Sequence, residues 1–159
     1  MSARKRYRPY GINRWAHVVA MAGATKLSKD DALVRAARVH DACTAIVTGK
    51  ATRDDWTHLA DCVNIVEELG RMRLVAGQDV IESTQDVIVG ILDRRRETGS
   101  LALYAIEVAV LQGFAADYSA VLCGITQSEY MQAQQRVEDR IRRVLSGERL
   151  PASTRVVVA

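Results

Sequence analysis

The chain has 159 residues, of which 48% are hydrophobic and 26% are charged, a balance typical of one folded domain and not of a disordered chain. Five basic residues lie within the first fourteen positions, and the remaining chain has 17 basic and 19 acidic residues. The net charge of +3 is therefore concentrated at the N-terminus, and this excludes a uniformly basic nucleic-acid-binding domain.

Residues 1–14 form a predicted basic arm, because Pro9 favours a turn and no apolar periodicity is present. A short helix is expected over residues 14–22, and Gly23 is expected to end it. The chain contains one other proline, Pro151. The long stretch between the two prolines therefore favours uninterrupted helices.

Two longer helices with the same start signal follow. Ser28 and Thr52 each precede two aspartates, so a hydroxyl can cap the first turn while carboxylates meet the positive end of the helix. Gly49 is expected to end the first of these helices, and Gly77 the second. Apolar residues at intervals of three and four predict one buried face on each helix. They are Leu33, Ala36, Ala37, His40, Cys43 and Val47 in the first, and Trp56, Leu59, Val63, Val66 and Gly70 in the second.

Two further helices are predicted between residues 79 and 122. The fourth helix covers residues 79–98 and is expected to end at Gly99. Ser100 is expected to cap the fifth helix, residues 101–122, which is apolar around nearly its whole circumference. A helix of this kind is expected at the centre of a bundle, enclosed by its neighbours.

A sixth helix begins at a capping box, in which Thr126 and Glu129 accept hydrogen bonds from free backbone amides, and it is expected to end near Leu145. Short connections imply antiparallel neighbours. The predicted fold class is therefore all-α, an antiparallel helical bundle of five to six helices with a central apolar helix. The bundle domain covers residues 15–147, and residues 148–159 form a C-terminal tail.

Two histidines and two cysteines occur at helical spacing. His40 and Cys43 are three residues apart and His58 and Cys62 are four apart, so each pair lies on one helix face. Facing each other across a hairpin, the four side chains could hold zinc. Cysteines on apolar faces are more often core residues, and no Cys-x-x-Cys pair is present. We therefore predict no metal and no cofactor.

The sequence contains no motif of a known enzyme class: no nucleophile elbow, no phosphate-binding or dinucleotide-binding glycine loop and no His-Glu-x-x-His. Two pairs of adjacent carboxylates, Asp54 with Asp55 and Glu67 with Glu68, point about 100° apart on a helix and so do not form shared acid–base sites. We expect both pairs to be solvated. The protein is predicted not to be an enzyme.

The sequence favours a cytosolic protein. No signal peptide is expected, because the apolar run near the N-terminus is short. The most apolar stretch, residues 101–122, includes Glu107 and Asp117, which favours a core helix over a membrane span. The three cysteines do not have the spacing of a disulfide scaffold, so we expect reduced thiols.

The candidate contact residues for nucleic acid or for a partner protein are basic. Five belong to the arm, three end the fourth helix and three line one face of the sixth. The two helical clusters also have a simpler interpretation, as compensation of the helix dipole or as parts of a mixed, solvent-exposed face. In chain order the candidates are Arg4, Lys5, Arg6, Arg8, Arg14, Arg94, Arg95, Arg96, Arg136, Arg140 and Arg143.

Several short stretches follow a shared pattern. They are Lys5-Arg6-Tyr7-Arg8-Pro9, Val39-His40-Asp41-Ala42 and Gly49-Lys50-Ala51-Thr52-Arg53-Asp54-Asp55-Trp56, continuing through Leu59, Asn64 and Glu67-Glu68-Leu69. The pattern resembles a group of short proteins from phages and bacterial prophages. These open with Lys/Arg-Tyr-Arg-Pro and contain a Gly-x-Ala-Thr-Arg-Glu/Asp-Asp turn into a helix. The resemblance covers residues 4–75 and implies an origin in a mobile element.

These observations lead us to expect a non-enzymatic phage or prophage accessory protein in the host cytosol. It would bind a host or phage protein, as a regulator or inhibitor of a host defence or replication component. One alternative is a nucleic-acid-binding regulator that uses the basic arm, and another is a structural or assembly protein of the phage particle. The sequence leaves open whether the protein forms a homo-oligomer, and no membrane partner is expected.

Overall fold

The computed structural model of the protein describes residues 25–72, 74–75, 77–151 and 156–158. Five helices lie within these ranges, and we number them in chain order: α1 (Lys29–Val47), α2 (Arg53–Arg71), α3 (Gln78–Thr98), α4 (Ala105–Gly124) and α5 (Gln127–Leu145). The predicted all-α helical bundle is confirmed. The arm, residues 1–14, and the short helix predicted over residues 14–22 lie outside the described residues.

Side-chain caps confirm three of the predicted helix starts. The Ser28 hydroxyl accepts a hydrogen bond from a backbone amide in the first turn of α1, at 3.0 Å. At the start of α2, the Thr52 amide donates to the Asp55 carboxylate at 2.9 Å, and the Thr52 hydroxyl accepts from the Asp55 amide. Thr126 and Glu129 form the same reciprocal pair at the start of α5. The sequence predicts these helix starts because each capping side chain and the amide that it satisfies lie within four residues of one another.

Two predicted boundaries are wrong. α2 ends at Arg71, and Gly77, with a φ of 91°, instead precedes α3. α4 begins at Ala105 and not directly after Ser100. The Ser100 hydroxyl accepts a hydrogen bond from the amide two residues ahead at 3.1 Å, which forms a turn and not a helix cap. The Glu107 carboxylate caps α4 instead. It accepts a hydrogen bond from the backbone amide of Tyr104, the residue before the helix, at 2.8 Å.

The first four helices form a closed ring. Each packs against the next along the chain, and α4 packs against α1. Neighbours run antiparallel: Arg94 near the end of α3 pairs with Glu107 near the start of α4, at 2.7 Å. Leu27 just before α1 donates its amide to the carbonyl of Ile125 just after α4, at 3.1 Å. α5 packs against α2, outside this ring.

The prediction that residues 101–122 form the central helix is wrong. The enclosed helix is α2, in which every residue from Leu59 to Leu69 except Asp61 is buried. Among the described helices, α2 contacts α1, α3 and α5, whereas α4 contacts α1 and α3. The three neighbours of α2 cover most of its surface, whereas the two neighbours of α4 leave one side of that helix open. The apolar residues on the open side of α4 therefore face solvent.

The predicted inward face of α1 is also partly wrong. Leu33 is 62% exposed, and Ala37 and His40 are exposed as well. The buried positions form a neighbouring stripe on the same helix: Ala32, Ala36, Val39, Ala42, Cys43 and Ile46. Small alanines on this stripe permit close approach to α4, so packing selects it over the stripe that begins at Leu33.

The described part of the C-terminal tail returns to α2. Val157 is buried, and its backbone carbonyl accepts a hydrogen bond from the Asn64 side chain at 2.8 Å. Its amide donates to the Asn64 carbonyl oxygen at 3.0 Å. This pair satisfies the buried amide of Asn64 and adds a further layer over α2.

Candidate docking surface

The outer side of α4 is an exposed apolar stripe. Its residues recur at intervals of three and four and so share one face. They are Ile106, Ala109, Gly113, Ala116 and Ala120, which together we call the α4 face. Ile106, the largest of them, is 69% exposed. The stripe spans about 20 Å of helix without a polar side chain.

The opposite side of α4 holds the helix in the bundle. Leu111, Phe114 and Tyr118 are buried in the core, and the rings of Phe114 and Tyr118 lie 5.7 Å apart. Glu107 accepts hydrogen bonds from Arg94 at 2.7 and 2.9 Å, and so fixes the N-terminal end of α4 to α3. With α4 anchored in this way, the α4 face keeps a defined shape.

α4 is also the one helix in the described ranges that is long and apolar enough to cross a membrane, by length and composition alone. In the bundle, however, α1 and α3 pack against its two flanks. A helix flanked in this way presents one stripe and not its full circumference. The α4 face is therefore one exposed stripe on a helix whose two flanks are covered.

Shallow grooves border the α4 face on both sides. On the α3 side, a groove of about 330 Å³ is lined by Val80, Ser83, Val110 and Asp117 among others. On the α1 side, a groove of about 480 Å³ has a lining that includes Gln112 of α4. The α4 face is thus a ridge of small residues between two depressions, a relief into which larger side chains of a partner can fit.

The charge around the α4 face is acidic. α4 contains no lysine or arginine, and its two charged residues are Glu107 and Asp117. Glu107 is neutralised by Arg94, which leaves Asp117 as the exposed charge of this helix. Asp79 of α3 lines the same groove as Asp117. A basic side chain at the edge of a docked segment would complement these two carboxylates.

The predicted basic candidates lie elsewhere, and most of those in the described residues form ion pairs. Arg94 pairs with Glu107, and Arg96 with Asp93 at 3.1 Å. Arg95 is exposed and has no carboxylate partner within the described ranges. The five candidates of the arm, Arg4, Lys5, Arg6, Arg8 and Arg14, lie outside the described residues.

The structure brings three basic candidates of α5 together. Arg136, Arg140 and Arg143 line one open groove, and each binds a carboxylate there or at its edge. Arg136 contacts Glu68 at 3.2 Å, and Arg143 donates to Glu148, with its Nε at 2.7 Å. Arg140 is buried in its ion pairs, whereas the side chains of Arg136 and Arg143 are 58% and 53% exposed and form surface pairs.

A buried ionic cluster joins α2 to α5, and sequence reasoning missed it. Glu67 and Glu68 are 3% and 4% exposed, so the expectation that both are solvated is wrong. Arg140, 8% exposed, donates to both carboxylates, and Gln85 of α3 donates to Glu67 at 3.0 Å. Arg71 binds the other oxygen of Glu67 at 2.8 Å. The spacing of Arg136 and Arg140 by four residues was the signal that could have indicated a partner helix.

The second predicted pair of adjacent carboxylates, Asp54 and Asp55, has one exposed and one buried member. Asp54 is exposed, as predicted, whereas Asp55 is buried at the start of α2. Hydrogen bonds from Thr52 hold the pKa of Asp55 below its ordinary value, and Arg38, 3.1 Å away, acts in the same direction. Asp55 is therefore a structural cap and not part of an acid–base site.

Comparison with known proteins leaves the surface to be interpreted from its own geometry. No family model matches the chain. No curated protein and no solved structure shows significant similarity to it.

The four side chains considered for zinc do not form one cluster. Cys62 Sγ lies 3.7 Å from His58 Nε2. His40 is exposed and lines the groove between α1 and α4. No group of three or more metal-ligating side chains occurs in the described part of the chain. Burial raises the pKa of Cys43 to about 12 and that of Cys62 to about 11, so both thiols stay protonated at neutral pH. The absence of bound zinc in the protein stays a prediction.

Proposed function

We propose that the protein is a non-enzymatic binding module, and that a partner protein docks on the α4 face. The observation that carries the proposal is the exposure of Ile106 and four small residues on a helix whose opposite side is buried in the core. Exposed apolar stripes of this length are characteristic of interaction sites, because water contact with them is unfavourable. The protonated, buried state of Cys43 and Cys62 supports a role without covalent catalysis.

The shape and charge of the surface indicate the chemistry of the partner. A ridge of Ala and Gly residues permits close approach of a second helix, and its flanking grooves accept aliphatic or aromatic side chains. Asp79 and Asp117 favour arginine or lysine along one edge. We therefore propose an amphipathic helix of a host or phage protein, with an apolar stripe and a basic edge.

The resemblance to short phage and prophage proteins supports a cytosolic accessory role during infection. Within that role, the protein would act as a regulator or inhibitor of a host defence or replication component by covering part of its surface. A lateral membrane contact is less compatible with the surface, because anionic lipids attract lysine and arginine and α4 has neither.

A crosslinking experiment with matched variants tests the proposal. A photo-crosslinking residue at Ala109 should capture a partner in host cells, and the captured peptide should be an amphipathic helix with a basic edge. Ile106→Arg should abolish the capture, because it places a charge at the largest apolar side chain of the α4 face, which is 69% exposed. Met131→Arg, at a 57% exposed position of α5, serves as the control and should leave it unchanged.

Two results would contradict this proposal. One is a capture that Ile106→Arg leaves intact, since the contact would then lie elsewhere. The other is binding of the purified protein to anionic vesicles that Ile106→Arg removes, which would assign the α4 face to lipid.

The nucleic-acid alternative depends mainly on the arm, because the arm carries five of the eleven basic candidates, whereas Arg94 and Arg140 are held in ion pairs with buried carboxylates. Removal of residues 1–12 takes away four positive charges. A titration with duplex and single-stranded DNA at low and moderate salt measures the effect. The slope of log affinity against log salt should fall by at most about three to four, since each neutralised phosphate contributes about 0.9. If the full chain has no affinity even at low salt, this alternative fails.

A further inference from the structure

We propose that a groove between α2 and α5 binds a small amphiphilic amine, a ligand with one ammonium group on an aliphatic tail. Two carboxylates in the groove, Asp61 and Glu138, bind the ammonium group, and aliphatic side chains that end at Leu145 contact the tail. The groove lies on helices other than α4, so this inference goes beyond the docking of a partner on the α4 face.

The groove, which we call the Asp61 groove, has the dimensions of a small-molecule site. Its volume is about 490 Å³, and ligand pockets usually have volumes of about 300–1,000 Å³. On α5 its lining extends from Gln134 to Leu145, which corresponds to about 16 Å along the helix axis. The groove is therefore elongated, a shape that fits a linear ligand better than a compact one.

Aliphatic side chains form much of the lining. Ile65 of α2 and Val137 of α5 are buried at the base of the groove. Ile141 is partly buried, and Leu145, at the end of α5, is 71% exposed. An aliphatic tail along these residues would remove the exposed surface of Ile141 and Leu145 from water, which is favourable.

Asp61 differs from the other buried carboxylates of its helix. Asp55, Glu67 and Glu68 each pair with an arginine. Asp61 is partly buried and has no hydrogen bond or ion pair within the part of the chain that the structure describes. Burial raises the pKa of Asp61, and the charge of Glu138 raises it further. A carboxylate that is withdrawn from water into an apolar groove without a counter-charge is a feature of binding sites.

The charges around Asp61 specify the ligand. Glu138 is exposed and accepts a hydrogen bond from the neutral amide of Gln134 at 3.0 Å. Arg142 also lines the groove, but its guanidinium donates to Asp139 at 2.9 Å. Two negative charges therefore lack a cation among the described residues, and one ammonium group can pair with both. A second ammonium group farther along the groove would approach Arg142 and be repelled, which favours a monoamine.

Calorimetric titration of the full chain with n-octylammonium tests the proposal. Asp61→Asn should weaken binding about tenfold, because it removes the charge that a hydrogen bond to an ammonium group requires. Asp41→Asn, at an exposed position of α1, is the matched control and should leave the affinity unchanged. Equal affinities of the wild type and Asp61→Asn would overturn the proposal.

A thermal melt establishes that Asp61→Asn is folded. This substitution removes a charge that burial disfavours, so the loss of binding is not expected to come from unfolding. Glu138→Gln supplies a second test at an exposed position and should weaken binding about threefold, since its carboxylate is more accessible to water. An affinity unchanged in both variants would show that neither carboxylate contacts the ligand.

Two related probes test the charge and the tail separately. 1-Octanol keeps the tail without the charge, and n-butylammonium keeps the charge on a shorter tail. Each should bind at least about tenfold more weakly than n-octylammonium. Equal binding of 1-octanol would overturn the role of the carboxylates. Equal binding of n-butylammonium would assign the groove to a short basic group such as a lysine side chain, and would overturn the amphiphilic ligand.

A further pair of measurements separates this site from the α4 face and from a second copy of the chain. Ile106→Arg should leave the affinity for n-octylammonium unchanged, because Ile106 lies on α4. Sedimentation of the wild type and Asp61→Asn should give the same mass. Self-association that Asp61→Asn abolishes would assign the groove to a second copy and overturn the proposal.

Discussion

At the scale of single residues, Arg140 is the side chain on which the contact between α2 and α5 depends most. Its guanidinium donates to Glu67 and Glu68, both buried. Arg140→Met would leave two carboxylates in the interior with fewer donors. We expect the free energy of unfolding to fall by about 3–5 kcal/mol, the usual cost of breaking a buried ion pair.

Chemical denaturation measures this loss, and Arg142→Met supplies the control. Arg142 pairs with Asp139 on the exposed side of the same helix, at 2.9 Å. Its replacement should change stability by less than about 0.5 kcal/mol, since exposed pairs contribute little. Equal effects of the two substitutions would show that the cluster at Glu67 and Glu68 is accessible to solvent.

Asp61 should make stability depend on pH in the opposite direction from a paired carboxylate. Burial raises the pKa of Asp61, and Glu138 adds to the effect. The ionised form is therefore less favourable in the folded than in the unfolded state, which lowers stability at pH values above the folded pKa. This penalty disappears as the pH falls through that pKa towards the unfolded value of about 3.9.

We accordingly expect Asp61→Asn to raise the melting temperature at pH 7 and to lose that advantage near pH 4. Thermal melts across this range, with the exposed Asp41→Asn as the control, measure the difference. A variant less stable than the wild type at pH 7 would contradict the assigned sign.

At the scale of helices, two capping boxes should contribute equally although they lie in different parts of the bundle. Thr52 and Thr126 each accept a hydrogen bond from an amide in the first turn of their helix, at 3.4 and 3.2 Å. Replacement of either by alanine leaves that amide without its partner. We expect each substitution to cost about 1 kcal/mol in the free energy of unfolding.

Thr44→Ala, at an exposed position inside α1, is the matched control and should be nearly neutral. Urea denaturation of the three variants measures the loss in the free energy of unfolding that each substitution causes. A loss at Thr44 as large as the loss at the two caps would show that the caps have no special role.

The two sides of α4 should respond differently to truncation. Leu111 is fully buried, and Leu111→Ala should cost about 2–5 kcal/mol because it removes contacts and leaves a cavity. Ile106 is mostly exposed, and Ile106→Ala should cost less than about 1 kcal/mol. Equilibrium unfolding at several protein concentrations measures the stability of the two variants. A large, concentration-dependent loss at Ile106 would indicate that a second copy covers the α4 face.

At the scale of the whole molecule, removal of residues 1–12 should leave the bundle folded. These residues carry four positive charges and a proline and show no apolar periodicity, and residues 25–72 already include two complete helices of the bundle. Circular dichroism and a thermal melt of the shortened chain measure the outcome. A loss of helicity or a much lower melting temperature would show that the arm is a packed element of the fold.

The local features of this protein follow from its amino-acid sequence alone. The starts of α1, α2 and α5 were predicted at Ser28, Thr52 and Thr126, because a cap and the amides it satisfies lie within a few residues of one another. The all-α class follows from three- and four-residue spacing in a stretch without proline. The sequence also identified α4 as unusually apolar, although it did not show which side would be open.

Which helix is enclosed and which charges are buried depend on the packing of the helices against one another. α2 is central because three helices contact it, and hydropathy gives the same value to an apolar residue whether or not a neighbour covers it. Arg140 meets Glu68 across 72 positions of chain, a separation at which no local pattern identifies a partner. The α4 face exists for the same reason: α4 has two neighbours in the described bundle, so part of its apolar surface stays in contact with water.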